Sequence, residues 1–148
     1  MDFYELVRSR RMVRNFSDDP VDPAALERIL EAAKHGPSAG FTQGQDVIVV
    51  TDFATRKLLA KYCGEEEYVE SGFDPFISKA PVLLVPCTNE AAYHRRYQQP
   101  DKVDEHGNEI VWPVPYWFMD AGHAVMLILL AVVYEGLAAG YAGFHDLD

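Results

Sequence analysis

Four of the chain's 13 lysines and arginines stand within one short stretch, at Arg8, Arg10, Arg11 and Arg14, with no acid among them. Guanidinium forks match phosphate oxygens in pairs, so converging arginines point to a bound anion. A solvated basic face is the plain alternative. A second stretch, Gly36-Pro37-Ser38-Ala39-Gly40 with Gln43, is built of small and polar residues. Small side chains let a flat ring approach the backbone closely. Ser38 and Gln43 add hydrogen-bonding groups, and an ordinary loop after a helix is the other reading.

Other chemistries find less support. His35, His94, His106, His123 and His145 lack ligand spacing, and no His-Glu-x-x-His is present, so no metal is expected. Cys63 and Cys87 form neither a disulfide framework nor a metal motif, and nothing marks either as an activated nucleophile. No Gly-x-Gly-x-x-Gly follows a strand, which argues against a dinucleotide fold of that type. A net charge of −10 argues against nucleic acid as a partner. Acids at Asp2 and Glu5 stand where a leader peptide would be basic, so a cytoplasmic location is expected.

The elements that must position these residues follow from periodicity. Residues 116–136 hold an unbroken apolar run from Ala124 to Val133, bracketed by Asp120, His123 and Glu135. That run is short for a membrane span, which needs about 20 residues. It predicts a core helix buried all round and shared with a second subunit, with Gly136 as its stop and His123 as a satisfied core residue. Asp2 and Glu5 suit a capping box on a first short helix. Asp22-Pro23 opens a second helix whose Leu26, Ile29, Leu30 and Ala33 form one buried face. Val47–Val50 and Val82–Val85 read as buried strands. Asp52 caps a helix with Leu58, Leu59 and Tyr62 inward, and Glu65-Glu66-Glu67 reads as a solvated turn. Residues 88–115 read as an excursion over the surface. With 148 residues and 49% apolar content, one domain over residues 1–148 is expected.

Taken together, Arg-Arg-x-x-Arg-x-Phe, an amphipathic helix, Pro-Ser-Ala-Gly-x-x-Gln and a strand resemble the nitroreductase family of FMN-dependent oxidoreductases. Ala80–Val85 and Asp120–Leu137 resemble that family's next strand and central helix. The resemblance implies an α+β fold with a central mixed sheet flanked by helices, in an intertwined homodimer with FMN at its interface. It implies Arg10 at the FMN phosphate, Arg11 and Met12 beside the phosphate and ribityl chain, and Arg14 near the pyrimidine end of the flavin. Pro37, Ser38 and Ala39 match a loop that reaches FMN from the other subunit, with Gln43 in the same motif. Ala142 and Gly143 match the backbone near the flavin N5. The chemistry implied takes hydride from NADH or NADPH and passes it to a small electron acceptor: a nitroaromatic, a quinone or an activated alkene. No catalytic side chain is singled out, because the flavin carries the reaction. A non-catalytic flavin-binding protein of the same fold is the rival class.

The chain departs from the family pattern at several places. Met12 stands where Ser is common, Phe41 where Asn is common, and Gly44-Gln45 where Pro-Trp is frequent. The family's usual C-terminal segment is not matched, which bears on FMN affinity. The aromatic residues Tyr93, Tyr97, Trp112 and Tyr116 lead us to expect residues 88–115 beside the flavin's open face; an edge decoration is the other reading.

Overall fold

A computed structural model describes residues 1–145. Helix α1 (Phe3–Ser9) starts at Asp2 with the expected capping box: Asp2 accepts from the Glu5 N–H, and the Glu5 side chain accepts from the Asp2 N–H. Helix α2 (Pro23–Ala33) is capped by Asp22, with proline at the first helical position, and buries Ala25 and Ile29. A 3-10 turn, Ala39–Phe41, precedes strand β1 (Gln45–Val50). Helices α3 (Phe53–Tyr62, capped by Asp52) and α4 (Glu65–Glu70) lead to strand β2 (Leu83–Thr88). Helices α5 (Glu90–Tyr97) and α6 (Tyr116–Tyr134) follow.

The α+β class is as expected. The sheet among the described residues is two antiparallel strands, β1 and β2, with Val47 opposite Pro86 and Val50 opposite Leu83; a mixed sheet would need a parallel strand in addition. Both strands are only partly buried, and Ile48 is exposed, since two strands leave one face open.

Helix α6 lies against α2 and the sheet. Ile128 and Val132 pack with Ile29, and Ala33, Val47 and Leu84 close around them. By length and composition α6 could cross a membrane, but this packing marks it as a core helix. It is not buried all round within one chain. Trp117, Asp120, Ala124, Ile128, Leu129 and Val132 face inward, while Phe118, Met119 and Met126 are exposed. The helix ends as expected at Gly136, whose φ of 75° suits glycine. The Gly136 N–H bonds to the Val133 carbonyl and the Leu137 N–H to that of Val132, closing a Schellman motif.

Three local expectations are corrected. Glu65 does not sit in a solvated turn: it opens α4, is buried, and one of its oxygens accepts the backbone N–H groups of Phe76, Ile77 and Ser78 at 2.9, 2.6 and 3.0 Å. On α3 it is Ala60 that enters a second core with Phe76 and Ile77, whereas Leu58 and Tyr62 are exposed. His123 is half exposed and stands 3.7 Å from Asp120.

Residues 88–115 are also more than a surface excursion. They include α5, whose Tyr93 is fully buried. Glu109 ties the later part of the segment back to α5, lying 2.6 Å from His94 Nδ1 and accepting from Gln98 and from the Trp112 indole. The Trp112 ring packs edge-on against Tyr93, Tyr97, Tyr116 and Trp117. The bond to Glu109 raises the pKa of His94, and the bonds from Trp112 and His94 lower that of Glu109.

Two outcomes follow from this packing. Ile29→Ala removes a side chain only 2% exposed and should cost about 2–5 kcal/mol, read as a lower denaturant midpoint. The His94 contribution is complete below the ordinary imidazole value of 6.5 and is lost as pH rises through the raised value. The Glu109 contribution is complete above the ordinary 4.5 and is lost as pH falls through the lowered value. The pair is therefore intact between those two values. Emission from Trp112 and Trp117, which both pack on the His94 ring, should change with a midpoint above 6.5, and His94→Gln should abolish that step.

Candidate functional site

The arginine stretch leaves α1 without regular secondary structure. Its position is set by the Val13 N–H, which donates to the Ala139 carbonyl at 3.0 Å beyond the end of α6. A Cβ on Gly140 would come within 2.4 Å of the Val13 carbonyl oxygen, so only glycine fits there. Residues 139–140 thus make the close approach to this stretch; Ala142 and Gly143, expected near the flavin N5, are exposed, and a side chain at Gly143 would meet open space.

The four expected ligands on this stretch differ in their surroundings. Arg10 Nη1 is buried and has no hydrogen-bond partner, the one side-chain atom in that state among the described residues. A buried donor without an acceptor is costly, and more so when charged. Its chemistry fits an anion. Arg11 instead turns back on its own helix end, donating to the carbonyls of Arg8 and Arg10. Met12 is 42% exposed. The Arg14 guanidinium lies 5.9 Å above the ring of Phe76, a cation–π placement.

The second expected stretch is a tightly held loop. Ser38 Oγ accepts from the Gln43 N–H at 2.9 Å, and Thr42 Oγ1 donates to the Ala39 carbonyl at 2.6 Å. Phe41 and Gln43 have φ of 55° and 52°, the left-handed region that costs a non-glycine residue energy. Pro37, Phe41 and Gln43 are exposed. The loop is fixed from outside by two helices. From α6, Asp120 Oδ2 accepts the Ala39 N–H at 2.8 Å. From α5, Arg96 donates to the Gly40 carbonyl at 2.9 Å while its other two nitrogens hold Asp101 at 2.8 and 2.7 Å. Arg96 lowers the Asp101 pKa to about 2.

Asp120 and Arg96 were not singled out by the sequence as site residues, and Tyr93 was named only among the aromatic residues of 88–115. The available sign was an acid at the head of an otherwise apolar helix, which a core helix does not need. Among the described residues, no hydrogen bond or ion pair joins Arg10–Arg14 to Pro37–Gln43. The loop is held by Asp120, near the start of α6, and the arginine stretch is tied beyond its end. Asp120 and Tyr134 are fourteen residues apart on α6, about 21 Å of helix.

Comparison with known proteins covers both stretches. The nitroreductase family model matches residues 7–72, from α1 through the loop to α4. A protein of Methanothermobacter thermautotrophicus, named as an NADH dehydrogenase/NAD(P)H nitroreductase, is 27% identical over the whole chain, and the chain spans 64% of that relative's length. A nitroreductase family protein of Clostridium novyi has the same fold, with a TM-score of 0.73 at 21% identity, covering 99% of this chain and 72% of its own. A nitroreductase of Desulfovibrio desulfuricans solved in complex with FMN has a TM-score of 0.64 at 22% identity, covering 88% of this chain and 62% of its own. The matched arginine stretch and loop, the alignment along the full chain and the shared fold together make this chain similar to the nitroreductase family in sequence and in fold.

Proposed function

We propose that the chain binds FMN and serves an NAD(P)H-dependent flavin oxidoreductase. The observation that carries this reading is Arg10 Nη1, buried without a hydrogen-bond partner. A phosphate would satisfy that donor with a charge-assisted hydrogen bond. The FMN bound by the Desulfovibrio protein and the name of the Methanothermobacter relative support the choice of cofactor and hydride donor. When bound, FMN would supply the redox chemistry, between NADH or NADPH and a small acceptor such as a nitroaromatic, a quinone or an activated alkene.

The side chains have separate tasks in this reading. Arg10 neutralises the phosphate. Arg14 is a further cation on the same stretch, and a cation near the ring stabilises negative charge that collects there on reduction. Arg11, engaged with its own helix end, sets the turn into the stretch. Ser38, Ala39 and Gln43 offer backbone and side-chain groups from a loop already locked in shape, so little ordering is required on binding. Met12, Pro37, Ala142 and Gly143 line the site by position.

A homodimer completes the arrangement. The exposed stripe of Phe118, Met119 and Met126 on α6, with Phe3, Tyr4 and Val7 on α1, is too apolar to leave in water. A second copy would cover it and bring the loop of one protomer toward the arginines of the other, which α6 separates within a chain. The free thiols of Cys63 and Cys87 suit a reducing cytoplasm.

Arg10→Ala should weaken FMN binding roughly 10- to 150-fold, from the loss of one charge-assisted hydrogen bond. Titration of apo-protein with FMN measures this, and unchanged affinity removes the phosphate assignment. In the wild type, the bound flavin should bleach with NADH or NADPH and recover on adding a quinone; a flavin that does not bleach identifies a non-catalytic binder. Sedimentation should show a species of two 16.7 kDa chains, and a monomer that retains FMN contradicts the shared site.

A further inference from the structure

The loop from Pro37 to Gln43 is tied to the rest of the fold by hydrogen bonds from outside it. Two of its residues, Phe41 and Gln43, adopt left-handed backbone that their side chains disfavour. Its internal bonds, from the Gln43 N–H to Ser38 Oγ, from Thr42 Oγ1 to the Ala39 carbonyl, and from the Phe41 and Thr42 N–H groups to the Ser38 and Ala39 carbonyls, close the loop on itself but do not attach it to the helices around it. Asp120 and Arg96 are the charged side chains that do so, one on the Ala39 N–H and the other on the Gly40 carbonyl.

Of the two, Asp120 is the buried one, 5% exposed. Its Oδ2 receives both the Ala39 N–H at 2.8 Å and the Tyr93 hydroxyl at 2.9 Å. Tyr93 is 0% exposed, and burial together with Asp120 raises its pKa, so its hydroxyl remains a donor. The same ring occupies the space that a side chain at Gly44 would need, with a Cβ there only 2.7 Å away. Tyr97 blocks Gly40 in the same way at 2.9 Å. Helix α5 thus presses on the middle of the loop at Gly40 and on Gly44 just after it, while the Asp120 carboxylate joins α5, α6 and the loop at one point.

We propose that Asp120, with its carboxylate held by Tyr93, is the positioning residue of the Pro37–Gln43 loop and sets the geometry in which Ser38, Ala39 and Gln43 meet a flavin ring. The reference to a flavin rests on the function proposed above; the reference to loop geometry does not. Asp120 need not touch the ligand. Its charge strengthens the hydrogen bond from Ala39, and a peptide N–H bound to a carboxylate is held more firmly than one bound to a neutral oxygen.

The test uses three variants and two readouts. Asp120→Asn keeps the volume and an acceptor oxygen but loses the charge. In apo-protein its Ala39 amide should exchange with solvent roughly 5- to 10-fold faster, the gap between a charged and a neutral hydrogen bond, while the Ile29 and Ile128 amides stay at the wild-type rate. Asp120→Ala, which has no acceptor, should exceed that at Ala39. For holo-protein, Asp120→Asn should weaken FMN and riboflavin by the same factor, because both carry the ring. Arg10→Ala should weaken FMN and leave riboflavin unchanged. An Ala39 amide at the wild-type rate in Asp120→Asn overturns the proposal. So does equal acceleration at Ala39 and Ile128, which would make Asp120 a stabiliser of the whole fold. Weaker FMN with unchanged riboflavin in Asp120→Asn overturns the ring-facing assignment. A wild type that binds neither flavin refutes the proposed function, and the exchange rates then decide the positioning role alone.

Discussion

A carboxylate inside a protein must be given hydrogen-bond donors, or its burial is too costly to sustain. Asp120 meets that condition with donors from two other parts of the chain, the Ala39 N–H of the loop and the Tyr93 hydroxyl of α5. It also lies on the face of α6 that carries Trp117, Ala124, Ile128 and Val132. The orientation of α6 therefore fixes two things together. Turning the helix to bury Ile128 and Val132 against Ile29 also turns Asp120 toward the loop. Gly36 allows that closeness, since a Cβ there would stand 3.3 Å from the Ala124 nitrogen.

The far end of α6 does the corresponding work for the arginine stretch. The helix stops at Gly136, the chain reverses, and the Ala139 carbonyl receives the Val13 N–H. Arg28 on α2 holds Glu135 at the same turn through two hydrogen bonds of 2.9 and 2.6 Å. The two candidate halves of the site are thus attached toward opposite ends of one rigid rod. That arrangement supports the proposal that two copies complete the site.

Residues 88–115 contribute to rigidity as well as to shape. Tyr93, Arg96 and Tyr97 brace the loop, and Glu109 returns the strap to α5 through His94, Gln98 and Trp112. A ring cluster centred on Trp112 fills the space between them. The aromatic residues of this segment thus pack on one another and on the loop's helix.

Much of this was legible in the sequence, because it rests on local chemistry. Asp2 with Glu5, Asp22 before Pro23, Asp52 and Gly136 cap helices by contacts within a few residues, and each does so here. The spacing of Ile29 and its neighbours gave the inner face of α2, and the arginine stretch and the small-residue loop carried the family resemblance. What only the tertiary structure decided concerns polar groups with distant partners. Glu65, in a run of three acids, is buried because three backbone N–H groups from residues 76–78 converge on it. Ala60 rather than Leu58 enters the core because α3 turns toward Phe76. Arg10 and Arg11 are adjacent and identical, yet one guanidinium nitrogen is buried and unpartnered while the other side chain caps its own helix. Asp120 is separated from Ala39 by 81 positions, and no pattern in a single chain marks that pair. Burial of a charge depends on which donors the fold delivers to it, and that delivery is settled only when the helices pack.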